Sequence, residues 1–456
     1  MKPELDWVGH PFVDAGLTAL LLLSRKETPK NLEESDIEKS IKFLSNVYCN
    51  DSWKSYLSGQ LFPNSGVLMT NPSMNKNRTP ENLYKNLKTV YTIIPPLDVG
   101  KEKCVICGRR ERLKELDSIG KSKIIGRHIF PLVGTGDMLN FFPSANSEGI
   151  DICASCIFLT QFMPLATYKL GNVMLLHCYP YEYNLKLTKE AVDIARKSSL
   201  VSDGRTFRYP YNFFFRKISE ISRDLKSEWK NVSVTMYHFN NFNQRQSIEI
   251  TYFPSIVLEF VTDTEIIDPT GWKNIVRSGW SDKKLSFEDL EKNKPNRIYD
   301  KLIKEESIIQ YFYDSRNKKI NSEWRLLEAY VIKVLRMKEE TLDFVKDLSD
   351  RILETIEKEE DNRLKKIIRN LERADKLYQF QDFFIIIERL RIRFAIPNSL
   401  LTFNEVTSIL LGYGEDMNVS WRTVKNLILF RLYERLHNRL ISIKEDEDEM
   451  EKEVEL

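Results

Sequence analysis

Cys104-Val105-Ile106-Cys107 and Cys153-Ala154-Ser155-Cys156 are two Cys-x-x-Cys pairs, and they hold four of the six cysteines of the chain. Each pair can turn two thiolates toward one ion. Together they supply the four soft ligands of a closed tetrahedral zinc site. Four sulfurs leave no open position for water, so the pattern reads as a structural Zn2+ site and not as a catalytic one. The pairs stand about 45 residues apart, against about 15–20 in a zinc ribbon, which implies a zinc-stapled lobe carrying an insertion. Two unrelated pairs of buried thiols, or a disulfide, are the alternative reading.

Around this lobe, 456 residues are too many for one ordinary core, and two or three domains are expected. Hydrophobic residues make up 42% and aromatic residues 11%, enough to build globular cores and to exclude a disordered chain. No segment reaches the roughly 18 apolar residues of a membrane span. The start, Met1-Lys2-Pro3-Glu4-Leu5-Asp6, lacks the basic-then-apolar layout of an export signal. A cytoplasmic protein with no membrane partner is therefore expected. The net charge of +2 conceals an asymmetry: Glu445–Leu456 contains eight acids and one lysine, and the rest of the chain holds 67 basic and 58 acidic residues. That surplus permits nucleic-acid binding, and the acidic tail reads as a solvated end.

The patterning divides the chain into five segments: an α-rich lobe over 1–100, the zinc-knuckle segment 101–160, an α+β region over 161–300, a helical bundle over 301–444 and the tail 445–456. The fold class is α+β, a mixed α/β N-terminal region with a zinc-knuckle insertion followed by a C-terminal helical bundle. Gly9 and Pro11 mark a turn, after which Asp14 is expected to cap a helix through Leu17, Leu20 and Leu23. Ile37, Ile41, Leu44 and Val47 share one face of a second helix. Val232–Phe239 and Ile248–Phe253 alternate and are rich in β-branched residues, so Asn240–Gln246 reads as an amide-rich hairpin loop. Beyond about Ile303, apolar positions recur at helical spacing, as in Leu364, Ile367, Ile368 and Leu371.

Several constellations bear on chemistry. His128, in Gly126-Arg127-His128-Ile129-Phe130-Pro131, lies between the cysteine pairs, and this layout resembles HNH endonucleases, whose corresponding histidine is the general base. Arg127 stands where that family usually has an acid or histidine, and Ile157 where it often has a histidine. A base lacking its cation cannot stabilise a phosphorane, so His128 reads as a packed side chain. Arg109, Arg110 and Arg127 are candidate phosphate contacts anchored by the zinc lobe. Asn241, Asn243 and Gln244 can read base edges, with Arg245 on a phosphate. Arg431, Arg435 and Arg439 recur at i, i+4 spacing, a basic stripe suited to a displaced single strand.

The opening Trp7-Val-Gly-His-Pro-Phe-Val-Asp-Ala-Gly16, the paired Cys-x-x-Cys with its insertion, the Asn/Gln loop and the helical C-terminal third together resemble the large subunit of the type I CRISPR interference (Cascade) complex, subtype I-B, Tneap branch. The resemblance implies a subunit that is not a nuclease. Such a subunit sits beside crRNA-containing Cascade subunits, recognises the protospacer-adjacent motif on target double-stranded DNA, helps open it and presents the displaced strand to a helicase-nuclease acting in trans. It assigns structural zinc to Cys104, Cys107, Cys153 and Cys156, and motif readout to Asn241, Asn243 and Gln244. Related genes produce a small helical subunit from an internal start, and Met337 is placed for one. The competing readings are an HNH-like zinc-stabilised endonuclease and a zinc-containing RNA-binding scaffold.

Overall fold

The structure, a computed structural model, describes residues 5–94, 103–109, 125–133, 150–197, 207–225, 231–242, 246–282, 284–410 and 420–442. The chain is mixed α/β and largely helical, and it forms two compact units: 1–255 with 291–294, and 256–290 with 295–456. The main division therefore falls at Ser255 and not near residue 300. Residues 256–290 and 295–303 join the C-terminal unit, and only 291–294 belong to the first.

The N-terminal unit is built around α1 (Pro11–Ser24). It is followed by α2 (Glu34–Tyr48), α3 (Asp51–Tyr56), α4 (Pro80–Thr92) and the short α5 (Ala154–Thr160). Next come β1 (Tyr168–Leu170), β2 (Asn172–Tyr179), α6 (Glu182–Arg196), α7 (Pro210–Leu225), β3 (Ser233–Asn240) and β4 (Ser247–Phe253). All residues of α1 from Pro11 to Leu21 are buried, so it is a core helix and not an amphipathic surface one. It packs against α5, α6 and β2. The helix α2 meets the sequence expectation closely and buries Ile37, Ile41, Leu44 and Val47.

The four strands form one antiparallel sheet in the order β1-β2-β3-β4. Leu176 pairs with Met236, and Met236 with Thr251. The hairpin expected from the alternating segments is β3–β4. Inward Val234 and Met236 of β3 are fully covered, whereas β4 buries only Thr251 and Phe253 and forms an edge. That is why β4 can carry Ile250 and Tyr252 exposed.

The C-terminal unit contains α8 (Ser255–Ile267), α9 (Pro269–Ser278), the start of α10 (Phe287–Asn293), whose last three residues belong to the N-terminal unit, and α11 (Arg297–Ile303). A two-stranded ribbon, β5 (Tyr313–Asp314) with β6 (Lys319–Ile320), precedes α12 (Trp324–Ala329). Then come α13 (Glu339–Ile356), α14 (Asp361–Arg373), α15 (Leu377–Arg393), α16 (Phe403–Leu410) and α17 (Trp421–Arg435). Helix α13 packs on α15 and α17, and α14 packs on the same two. The predicted apolar face Leu364, Ile367, Ile368 and Leu371 is buried in α14. Among the described residues no helix is long and apolar enough to cross a membrane.

Candidate metal centre

The first cysteine pair is shaped by the residues that follow it. Gly108 takes φ +72, a left-handed conformation that glycine adopts without steric cost. This lets its N–H donate to the Cys104 carbonyl at 2.9 Å, while Cys104 N–H donates to the Arg109 carbonyl at 2.8 Å. The second pair rides on α5. Cys153 is its N-cap, and its sulfur accepts the Cys156 N–H at 3.5 Å. Val105 N–H donates to the Asp151 carbonyl at 2.9 Å, and Arg109 Nη1 donates to Ser155 Oγ at 3.0 Å, so two bonds bridge the knuckles.

The four sulfurs converge, all within 4.8 Å of one another. Cys104 and Cys156 sulfurs are 3.9 Å apart, and those of Cys107 and Cys153 are 3.6 Å apart. Sulfurs placed 2.3 Å from a common centre at tetrahedral corners sit about 3.8 Å apart, so the spacing fits one metal ion with four thiolates. It does not fit a disulfide, and all six cysteines are free. Cys104, Cys153 and Cys156 are buried and Cys107 is half-buried. Electrostatics favours a cation there. Hydrogen bonds from Cys107, Cys153 and Cys156 hold the Cys104 thiol below its ordinary value, while bonding to Cys104 and then Cys107 drives Cys153 and Cys156 up. The sulfurs thus share a limited number of negative charges, and a dication lets all four ionise.

The opening motif turns out to be the scaffold of this centre. A Cβ built on Gly16 would lie 1.8 Å from the carbonyl oxygen of Leu159 and 2.5 Å from its carbon, so α1 meets the backbone of α5, the helix bearing the second knuckle. Asp14 is not the cap of α1, as the sequence suggested. The helix starts earlier, at Pro11, and His10 caps it by accepting the Phe12 N–H on Nδ1 at 3.3 Å. Burial, and then His177, push the His10 imidazole down to about 3, which keeps it neutral and able to accept that bond. Asp14 lies inside the helix, fully buried. Its carboxylate accepts Val8 N–H at 2.9 Å and Gly9 N–H at 3.0 Å, and contacts His177 Nε2 on β2 at 2.9 Å. Trp7 stacks on Tyr181 with ring centroids 5.2 Å apart. Isolated in the sequence, His177 reads as a structural side chain, but its partner was not foreseen; the signal was the single carboxylate within the apolar run Phe12–Leu23.

The remaining candidate residues fall apart from one another. Asn241 is no loop-tip reader. It is fully buried, its Oδ1 accepts Leu132 N–H at 2.9 Å, and its Nδ2 donates to the carbonyls of Leu61 at 2.7 Å and Arg127 at 3.1 Å. Every polar atom of that amide is engaged, leaving none for a base edge. Asn243, Gln244, Arg245 and Arg110 lie outside the described residues. Arg109 is held by Ser155, and Arg127 is half-buried. His128 Nε2 is buried with no hydrogen-bond partner among the described residues, and burial, followed by Arg127, lowers its imidazole. The four cysteines are the one group of three or more converging metal-ligating side chains among the described residues.

The basic stripe is largely neutralised. Arg431 bonds Asp350 at 3.0 Å and Glu434 at 2.6 Å, and Arg439 bonds Asp361 at 2.7 Å; Arg435 alone of the three is exposed. Met337 is buried, and its N–H donates to the Val331 carbonyl at 3.1 Å just ahead of α13.

No curated protein and no solved structure matches this chain. Residues 98–168, which span both knuckles and α5, match the family model described as CRISPR-associated protein (Cas_CXXC_CXXC), and that match indicates a CRISPR-associated protein.

Proposed function

We propose that this chain is the non-catalytic large subunit of an RNA-guided type I CRISPR surveillance complex, that it reads the motif flanking the target and helps open the duplex, and that its four cysteines hold one structural Zn2+. The observation that carries the reading is the convergence of four sulfurs within the segment that matches the CRISPR-associated family. When bound, zinc braces the lobe and does no chemistry on the nucleic acid. Sequence choice then belongs to guide pairing, and the protein needs only a short readout and backbone contacts. Gln244 and Asn243 remain the proposed readers, with Arg245 on phosphate; Asn241, held by Leu61, Arg127 and Leu132, is a structural residue. The helicase-nuclease is supplied in trans, and crRNA-bearing subunits are the partners.

The test has two parts. Metal analysis of the purified chain should return one zinc per chain, lost in Cys156→Ala. The complex assembled with crRNA should bind duplexes according to the flanking motif, and Gln244→Ala should relax that preference by about 1–3 kcal/mol. Motif-independent binding would favour an RNA scaffold instead. Cleavage by the chain that disappears in His128→Ala would establish a nuclease and overturn the proposal.

A further inference from the structure

Helix α15 buries Phe380, Phe383, Phe384, Ile387 and Arg391 in its bundle. The opposite side carries an apolar row: Tyr378, Ile385 and Ile392, at successive seven-residue steps, are 55%, 49% and 72% exposed. Seven residues make almost two helical turns, so the three side chains form one seam. Beside the seam and on one flank of it lie Asp382 and Arg389, both exposed. Neither has an ion-pair partner among the described residues, in contrast to the arginines of α17 and to Arg391 and Arg393 of the same helix.

We propose that this seam is a self-association surface that takes a second copy of the chain, the two α15 helices lying antiparallel about Ile385. The charge pattern fixes both occupant and direction. A parallel pair related by a twofold along the helices would carry this flank to opposite sides of the contact and leave Asp382 and Arg389 without each other. Reversing one helix about Ile385 sets each Asp382 next to the second copy's Arg389, stacks Ile385 on its own equivalent, and brings Tyr378 over Ile392. One twofold operation thus satisfies both charges twice and covers all three apolar side chains, the pattern of an isologous contact. The row is interrupted by Gln381 and Glu388, so the association is weak and salt-sensitive.

Sedimentation equilibrium of the full chain at tens of micromolar tests this. A monomer–dimer equilibrium that weakens at high salt is expected, and Ile385→Glu should abolish it without changing the melting temperature, since the side chain is half-exposed. Asp382→Arg and Arg389→Asp should each weaken the dimer about tenfold, from lost pairs and new like-charge contacts. Mixed together, the two variants should form a heterodimer about as tight as the parent dimer, because each supplies the charge the other lacks. A parent chain that is monomeric at these concentrations, or a mixture no tighter than either variant alone, overturns the proposal.

Discussion

The two units differ in where they place most of their polar contacts. In the N-terminal unit, buried polar groups fasten segments far apart in the sequence. Asp14 reaches His177, Tyr48 donates its hydroxyl to the Gln161 carbonyl at 2.9 Å, and Asn241 joins Leu61, Arg127 and Leu132. In the C-terminal unit many polar contacts are ion pairs at helix surfaces, such as Arg431 with Asp350 and Lys346 with Glu328, although buried Arg391 also ties Glu354 and Thr355 to the Asn398 carbonyl. A buried amide or carboxylate whose partners are removed costs the full desolvation of what remains, whereas an exposed pair is screened and adds little. The first unit is therefore specified chiefly by a few such buried contacts, and the second draws more on apolar helix faces.

Substitutions at matched positions sharpen or break this contrast. The largest effect is expected at Gly16. Its would-be Cβ collides with main chain, which cannot rotate away, so Gly16→Ala should cost about 3 kcal/mol. It should also displace α5 enough to loosen metal retention, as followed by chelator competition. Wild-type unfolding and retention would show that α1 and α5 do not meet by backbone. Next is Asn241→Ala, expected to cost about 2 kcal/mol by stranding one buried N–H and two carbonyls. Hydrogen exchange at Leu132 would report it directly, and an unchanged amide there would return Asn241 to the role of surface reader. The smallest effect is expected at Arg431→Ala, below about 1 kcal/mol, because Asp350 is left largely in water. A larger loss in denaturant titrations of the C-terminal unit would mean that its surface pairs carry specificity after all.

What the sequence revealed, and what it hid, follows the same division. Helix α14 and the β3–β4 hairpin were legible because their period is local: Leu364, Ile367, Ile368 and Leu371 repeat within eight residues, and Val234 and Met236 alternate within a strand. The knuckles were legible because Cys-x-x-Cys spacing is itself local and the chemistry of sulfur does the rest. Asn241 misled for the converse reason. An amide in a polar loop looks solvated until its partners, 109 to 180 residues away along the chain, are known. The stripe Arg431, Arg435 and Arg439 misled likewise, because spacing identifies a shared face but not the acids that α13 and α14 bring to it. The place of α8 and α9 in the C-terminal unit was equally hidden, since apolar faces do not announce which core they enter.

The seam at Gly16 has an evolutionary corollary. Where main chain touches main chain, there is no side chain on the far side to shrink in compensation. A larger residue at 16 cannot be rescued by any replacement of Leu159, because the obstacle is that residue's carbonyl and every amino acid has one. Descent can rework the surface of this lobe, its loops and even the insertion between the knuckles, while this one position stays closed to every alternative.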